Sequence, residues 1–404
     1  MEQKIDVNKL RIGMYVSRLD RPWVDTPFLF QGFYINSTND IESLKKSCMY
    51  IYVDPEKKPH IEDVIQVSTA NDGEINDEFS HKKVIYEDAC TVDKEIASAK
   101  ESRRKISKLL DNLIEDIGAG RKVSMAGSKK IVQSMVESII RNPDACIWLS
   151  RLKDIDNYTY NHALDVSILA VALGRHLGFT RLELLDLAIG GLLIDIGKIK
   201  LPANLLNKPG RLTDEEFVEV KKHVEHGVDI LKQIDGISDR TIEMVKHHHE
   251  RHNGKGYPQK LTGVRIPVYA RIAAIVDCYD AITSNTAYHR AVSSHEAVTQ
   301  IYEWRDVDFQ AQLVEQFIQC MGVYPTGSIV ELTTGEIGVV MSQNRVRRLR
   351  PRIMLILDSS KVAFESFPVV DLATETETKE GTALSIVNTH EPGSFGIDPA
   401  TFYL

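Results

Sequence analysis

His247-His248-His249-Glu250-Arg251-His252-Asn253-Gly254-Lys255-Gly256-Tyr257-Pro258 is the stretch on which the reading of this chain turns. Three adjacent imidazoles gain little in an apolar core, and a solvent-facing helix has better helix formers available. The plain alternative is a polar helix end with three surface histidines. Neutral imidazole is, however, a common metal ligand near pH 7. The Gly-x-Gly-Tyr-Pro that follows reads as a tight loop beside the cluster.

Working outward, metal-type ligands recur at helical positions: His162, Asp195, His223, the pair His248 and His249, and Asp277. A lone His or Asp on a helix is usually a surface or cap residue, so the context of each decides. Asp195 ends the nearly wholly apolar run Gly190-Gly191-Leu192-Leu193-Ile194 and is followed by Ile196-Gly197-Lys198. A carboxylate there is expected to be buried, and a buried charge must be paired or metal-bound. An ion pair with Lys198 is the alternative. Asp277 repeats the situation at the end of Ala270-Arg271-Ile272-Ala273-Ala274-Ile275-Val276, with Asp280 one helical turn further on. Two apolar helices that each deliver an Asp are hard to explain by packing alone.

A chain of 404 residues is expected to form two or three domains. Its 43% hydrophobic and 26% charged residues are those of a soluble globular protein. No run approaches the roughly 20 apolar residues that span a bilayer, and the N-terminus lacks the apolar core of a secretory signal. Cys48, Cys90, Cys146, Cys278 and Cys320 are odd in number and scattered, which suits reduced thiols in a cytoplasm. A net charge of -8 argues against coating a nucleic-acid polymer.

The chain reads as mainly α. Residues 1–55 are expected to form a small α+β domain, with strands over Leu10–Val16 and Met49–Val53 and a helix over Asp40–Ser47. Residues 56–83 read as a linker, 84–148 as connecting helices and 149–321 as the helical domain that carries the ligands. Periodicity predicts helices over Lys94–Ile117, Asn161–Leu177 and Glu183–Ile194, and Thr213-Asp214-Glu215-Glu216 is a capping box. Residues 322–358 read as a C-terminal β-hairpin extension with a third strand over Ile353–Leu357, and 359–404 as a polar tail with weak strand signals.

From Asn157 to about Ala297 the chain resembles the HD-GYP subgroup of the HD superfamily. The resemblance rests on Tyr158-Thr159-x-x-His162, Asp195-Ile196-Gly197-Lys198, Leu206-Asn207-Lys208-Pro209-Gly210-Arg211-Leu212-Thr213, His223-x-x-x-Gly227, His248-His249-Glu250-Arg251 through Gly256-Tyr257-Pro258, and Asp277-x-Tyr279-Asp280. These six motifs follow one another in the same order. The N-terminal unit resembles the small domain that precedes many such modules, and Tyr324–Leu332 their C-terminal extension. The resemblance implies an HD-type helical bundle and a metal-dependent phosphodiesterase. Such an enzyme opens a 3′–5′ cyclic dinucleotide, cyclic di-GMP or 3′3′-cGAMP, to the linear dinucleotide with a metal-activated water.

Carried over residue by residue, the resemblance implies His162, Asp195, His223, His248, His249 and Asp277 as metal ligands, with Asp195 bridging. Asp195 and Lys198 would be the catalytic residues. Lys198, Gly256, Tyr257, Pro258, His289 and Arg290 would meet the substrate. One or two divalent transition metals are implied, iron or manganese suiting mixed imidazole and carboxylate ligands. The chain departs from the family pattern in three places. Ile194 stands where the His before Asp195 belongs, and Tyr158 where three-metal members carry a Glu. Asn285-Thr286-Ala287-Tyr288-His289 replaces Asp-Arg-Pro-Tyr-Arg. The position built by Asp195, His223, His248 and His249 is thus expected to be well made, and that of His162, Asp195 and Asp277 depleted. His247 points about 100° away from its neighbour on a helix and is not expected to compensate. The alternative is an impaired module that binds a cyclic dinucleotide or metal and signals through protein partners. A homodimer and a cytoplasmic location, with no membrane, complete the expectation.

Overall fold

Alternation along Tyr50-Ile51-Tyr52-Val53 buries Ile51 and Val53 and turns the two tyrosines outward, so this segment forms the centre of the N-terminal sheet. The computed structural model describes residues 3–20, 33–35, 38–55, 84–125, 127–150, 158–206, 208, 210–284, 291–379 and 381–397. They fall into two units, Met1–His81 with Asn344–Pro351, and Lys82–Gln343 with Arg352–Leu404. The first unit holds β1 (Gln3–Asp6), β2 (Tyr15–Leu19), β3 (Phe33–Tyr34), α1 (Thr38–Ser47) and β4 (Tyr50–Val53), in the antiparallel order β1-β4-β2-β3. Val16, Ile35, Leu44 and Ile51 form its core.

The strand expected over Leu10–Val16 starts only at Tyr15. Asp6 Oδ1 accepts from the Asn8 amide at 2.8 Å and opens a 3-10 turn over Val7–Lys9, and Gly13 takes φ 91°. This local turn chemistry outweighs the β-branched content of the segment. The segment read as a linker, 56–83, lies outside the described residues, as does Trp23.

The second unit begins with α2 (Val92–Gly118), α3 (Lys129–Arg141), α4 (Pro143–Ser150), α5 (Tyr158–Leu177) and α6 (Arg181–Leu192). A 3-10 helix over Ile196–Lys200 and α7 (Ala203–Leu206) follow, then α8 (Asp214–Lys221), α9 (His223–Leu231) and α10 (Asp239–His247). The helical part closes with α11 (Val268–Ile282), α12 (Ser294–Glu303) and α13 (Ala311–Met321). Helix α5 packs on α6 and α11, and α10 packs on α6, α9 and α11. Two glycines allow this. A Cβ on Gly191 would lie 2.5 Å from Ser167 Cα of α5, and one on Gly190 2.4 Å from Met244 Sδ of α10. Capping boxes start α6 at Thr180 and α8 at Thr213, each Thr answering a Glu three residues on.

Helix α6 ends at Leu192, two residues before the expected boundary, and a turn through Leu193 and Ile194 delivers Asp195 to the 3-10 helix. Away from this region, Glu95 of α2 is buried against α3. It accepts from Arg141 Nε and Nη2 at 2.8 and 2.7 Å and from Ser138 Oγ at 2.6 Å. No helix among the described residues is long and apolar enough to cross a membrane.

The C-terminal strands form a five-stranded antiparallel sheet, larger than the expected hairpin. Its order is β8-β7-β6-β5-β9, with β5 (Ile329–Leu332), β6 (Ile337–Ser342), β7 (Arg352–Leu357), β8 (Val369–Asp371) and β9 (Ile386–His390). Segment 359–404, read as a polar tail, supplies both edges. Central β6 is buried at every position, whereas the edge strands β8 and β9 bury no residue fully and expose Val369, Val387 and Asn388. An edge strand that shows one side to water carries little apolar signal.

Candidate metal centre

Five elements deliver the candidate ligands to one end of the helical layer: α5 brings His162, the turn after α6 Asp195, α9 His223, the end of α10 His248 and His249, and α11 Asp277. Gly197 is what lets two of them meet. A Cβ there would stand 1.9 Å from His223 O and 2.4 Å from Gly227 N, so only glycine lets the 3-10 helix lie against α9. His223 Nε2 then comes 3.4 Å from Asp195 Oδ1. One ligand atom each from Asp195, His223, His248 and His249 falls within 4.8 Å of the others.

The backbone fixes the state of two of these imidazoles. Nδ1 of His223 donates to Val220 O and Nδ1 of His248 to Val245 O, both at 2.7 Å. A carbonyl only accepts, so each proton sits on Nδ1 and each Nε2 presents a lone pair to the cluster. Among the described residues neither Nε2 has a hydrogen-bond partner, although both rings are 1% exposed. Buried acceptors without a donor are costly, and a cation beside Asp195 satisfies both. Burial also lowers the pKa of His223, of His248 to about 4, and of His249 well below the usual imidazole value. All three are therefore neutral ligands near pH 7. The donor set fits a divalent metal.

His162 stands among carboxylates. Its Nδ1 lies 2.8 Å from Asp280 Oδ2, and its Nε2 lies 3.0 Å from Asp277 Oδ1 and 3.7 Å from Asp195 Oδ2. Burial opposes the charged ring, but the bonds to Asp277 and Asp280 outweigh it and push its pKa up to about 10. Lys198 Nζ is 2.6 Å from Asp195 Oδ2, so Asp195 has both the lysine partner and the imidazole cluster that its sequence context left as alternatives. Burial works against the Asp195 carboxylate too, yet Lys198, His162 and His223 hold it far below the usual range. Asp277 is likewise lowered, the His162 hydrogen bond overcoming burial.

Two residues here were given no role from sequence. Asp280 orients the His162 ring, and its spacing one turn from Asp277 was the signal. Glu250, 1% exposed, accepts from the amides of Gln259 at 2.7 Å and Leu261 at 3.0 Å, pinning the Gly-Tyr-Pro loop. A Cβ on Gly256 of that loop would meet Arg251 N and His249 O, both at 2.4 Å. Tyr257 stacks on His249 with ring centroids 4.7 Å apart and planes at 29°, and the Tyr257–Pro258 peptide is cis. His247 turns away from the cluster, its Nε2 3.1 Å from Glu243 Oε2. His289 and Arg290 lie outside the described residues.

Residues 133–313 match the HD domain family, residues 2–127 a domain of unknown function (DUF3391), and residues 329–379 a KOW domain associated with the HD domain. Over 381 residues the chain is 32% identical to a cyclic di-GMP phosphodiesterase of Pseudomonas aeruginosa, spanning 94% of this chain and 91% of the relative. The chain belongs to the HD-GYP family. Within the HD-GYP family it is also 34% identical over 130 residues to 3′3′-cGAMP-specific phosphodiesterase 2 of Vibrio cholerae, covering 31% of this chain and 24% of that one. A solved HD-GYP-type protein from Bdellovibrio bacteriovorus aligns with a TM-score of 0.40 and 18% identity, over 78% of this chain and 98% of that one. As an HD domain the chain binds divalent metal, and the Asp195, His223, His248 and His249 cluster is a place that could hold it.

Proposed function

We propose that this HD-GYP chain is a metal-dependent phosphodiesterase that hydrolyses a 3′–5′ cyclic dinucleotide, cyclic di-GMP or 3′3′-cGAMP, to the linear dinucleotide. The observation that carries the reading is the convergence of Asp195, His223, His248 and His249, with two buried imidazole nitrogens that lack a donor. A relative similar along nearly the whole chain is a cyclic di-GMP phosphodiesterase, and one similar over 130 residues acts on 3′3′-cGAMP.

In this reading Asp195, His223, His248 and His249 would hold one divalent cation, and His162, on giving up the proton it shares with Asp277 and Asp280, would join Asp277 and Asp195 in holding a second. Iron or manganese suits this mixture of imidazole and carboxylate. Such an ion, when bound, lowers the pKa of water and offsets charge on phosphoryl oxygens. The protein supplies the rest. Lys198, its side chain about a third exposed beside Asp195, sets a fixed positive charge where a phosphate develops negative charge. Asp280 keeps the His162 Nε2 facing Asp277 and Asp195. Gly256, Tyr257 and Pro258, held by Glu250, wall the pocket on the His249 side, and His289 and Arg290 are assigned to the phosphate. The five cysteines form no disulfide, which supports a cytoplasmic location.

The test is protein purified without chelator, assayed for transition metal per chain and for opening of both cyclic dinucleotides, with the product identified. At least one metal per chain and a linear dinucleotide are expected, both lost in Asp195→Ala. A folded sample that takes up no transition metal and opens neither substrate overturns the reading.

A further inference from the structure

Helix α8, residues Asp214–Lys221, has no buried residue, yet it carries a phenylalanine and a valine that are 45% and 58% exposed, Phe217 and Val218. An isolated exposed apolar residue is ordinary. Phe217 is different because of its neighbours. Its ring meets that of Tyr257 edge-to-face at 6.4 Å, and Tyr257 in turn stacks on His249 of the candidate metal cluster. The three rings form a continuous path from the cluster to the surface. Lys221, one turn along α8, places Nζ 4.3 Å from the Phe217 ring centroid and 5.2 Å from that of Tyr257. Among the described residues no carboxylate pairs with it, although the adjacent Lys222 is paired with Glu219.

We propose that Phe217, Tyr257 and Lys221 form a purine-binding subsite at the mouth of the metal centre, with Phe217 as the stacking surface and Lys221 as the group that reads the base edge. The proposal rests on the cyclic dinucleotide reading given above and extends it to base recognition. The chemistry is that of single-stranded nucleotide binding, in which an aromatic face accepts any base and a cation over the ring adds to the attraction. Lys221 adds a preference. An ammonium only donates, and the edge of guanine offers two acceptors, O6 and N7, where adenine offers N7 beside a competing N6 donor. The subsite therefore favours guanine. Phe217 leaves nearly half its surface open while Tyr257 is held by the loop that Glu250 pins, so the platform exists before ligand binds.

The experiment compares the full chain with Phe217→Leu, Phe217→Trp and Lys221→Met. It measures metal content, equilibrium binding and kcat and KM for cyclic di-GMP and 3′3′-cGAMP. Phe217→Leu is expected to raise Kd and KM for both ligands by roughly 5- to 150-fold, the range of one lost base stack, with metal content and kcat retained. Phe217→Trp should restore tight binding. Lys221→Met should raise Kd for both ligands, since each can present a guanine to the subsite, with metal content retained. Unchanged Kd and KM in Phe217→Leu, in a protein that binds or opens either ligand, overturns the subsite. If the wild type binds the ligands in a Phe217-dependent way but opens neither, the subsite stands and the hydrolytic reading falls. A wild type that neither binds nor opens them overturns both.

Discussion

At the scale of single residues, the Nδ1-to-carbonyl bonds of His223 and His248 do the most to define the centre, because they commit each Nε2 to face Asp195. Losing a hydrogen bond that orients a ligand costs metal affinity about 10- to 100-fold. Replacing a ligand should cost more. His248→Ala is expected to lower metal affinity by more than about 100-fold, read as metal retained per chain after dialysis, while the protein stays folded. Ile194 offers the opposite test. It is 1% exposed and directly precedes Asp195, in the place where the family resemblance calls for a histidine. Ile194→His is expected to raise metal per chain and to increase turnover by roughly tenfold or more, the scale on which single groups tune such sites. Unchanged metal content in a folded variant would show that position 194 does not serve the centre. The histidine ligands were what the family resemblance implies; Asp195 and Asp277 were legible from sequence because a carboxylate ending an apolar helix is buried, and burial obliges it to find a cation. Glu250 and Asp280 were less so, since their roles lie in which amide or ring nitrogen they meet across the fold.

At the scale of elements, close approach is decisive, and glycine permits it. The 3-10 helix after Asp195 touches α9 through Gly197, whose missing Cβ leaves room for His223 O at 1.9 Å. Backbone cannot yield there as a flexible side chain would. Gly197→Ala should therefore destabilise the protein by about 1–3 kcal/mol, as overpacking does, and should also reduce bound metal by separating Asp195 from His223. Gly227→Ala is the comparison. Its Cβ would meet Val245 Cγ1 at 3.3 Å, a contact that a side chain can relieve, so a smaller drop in thermal midpoint and near-normal metal content are expected. Element boundaries show how much of this was readable. The capping box at Thr213 and the long helices follow from local pattern. The strand at Tyr15–Leu19 instead of Leu10–Val16 does not, because an Asp6 side-chain turn and Gly13 override β propensity.

At the scale of the whole molecule, the helical unit is tied together by buried polar groups as well as by its core. Glu95 on α2 takes a two-point contact from Arg141 of α3 and a further bond from Ser138. Burial raises its pKa, but these partners outweigh burial and bring it below the ordinary 4.5. A carboxylate with a depressed folded pKa contributes stability that is present above the unfolded value and is lost as pH falls through the folded one. Glu95→Gln should thus cost about 1.5–3 kcal/mol near neutral pH and flatten the fall in thermal midpoint below about pH 4.5, measured by thermal unfolding across that range. A variant that keeps the full acid sensitivity of the parent would remove Glu95 from this role. By itself the sequence determined a mainly helical chain with small β units at both ends, and which imidazoles and carboxylates were candidates for a metal, since periodicity, capping and the cost of burying charge are local properties. Only the tertiary structure decided that Asp195, His223, His248 and His249 converge, that Asp280 orients the His162 ring beside Asp195 and Asp277, and that the polar C-terminal segment supplies both edges of a five-stranded sheet. Those outcomes depend on which backbones can touch, and that is settled by groups far apart along the chain.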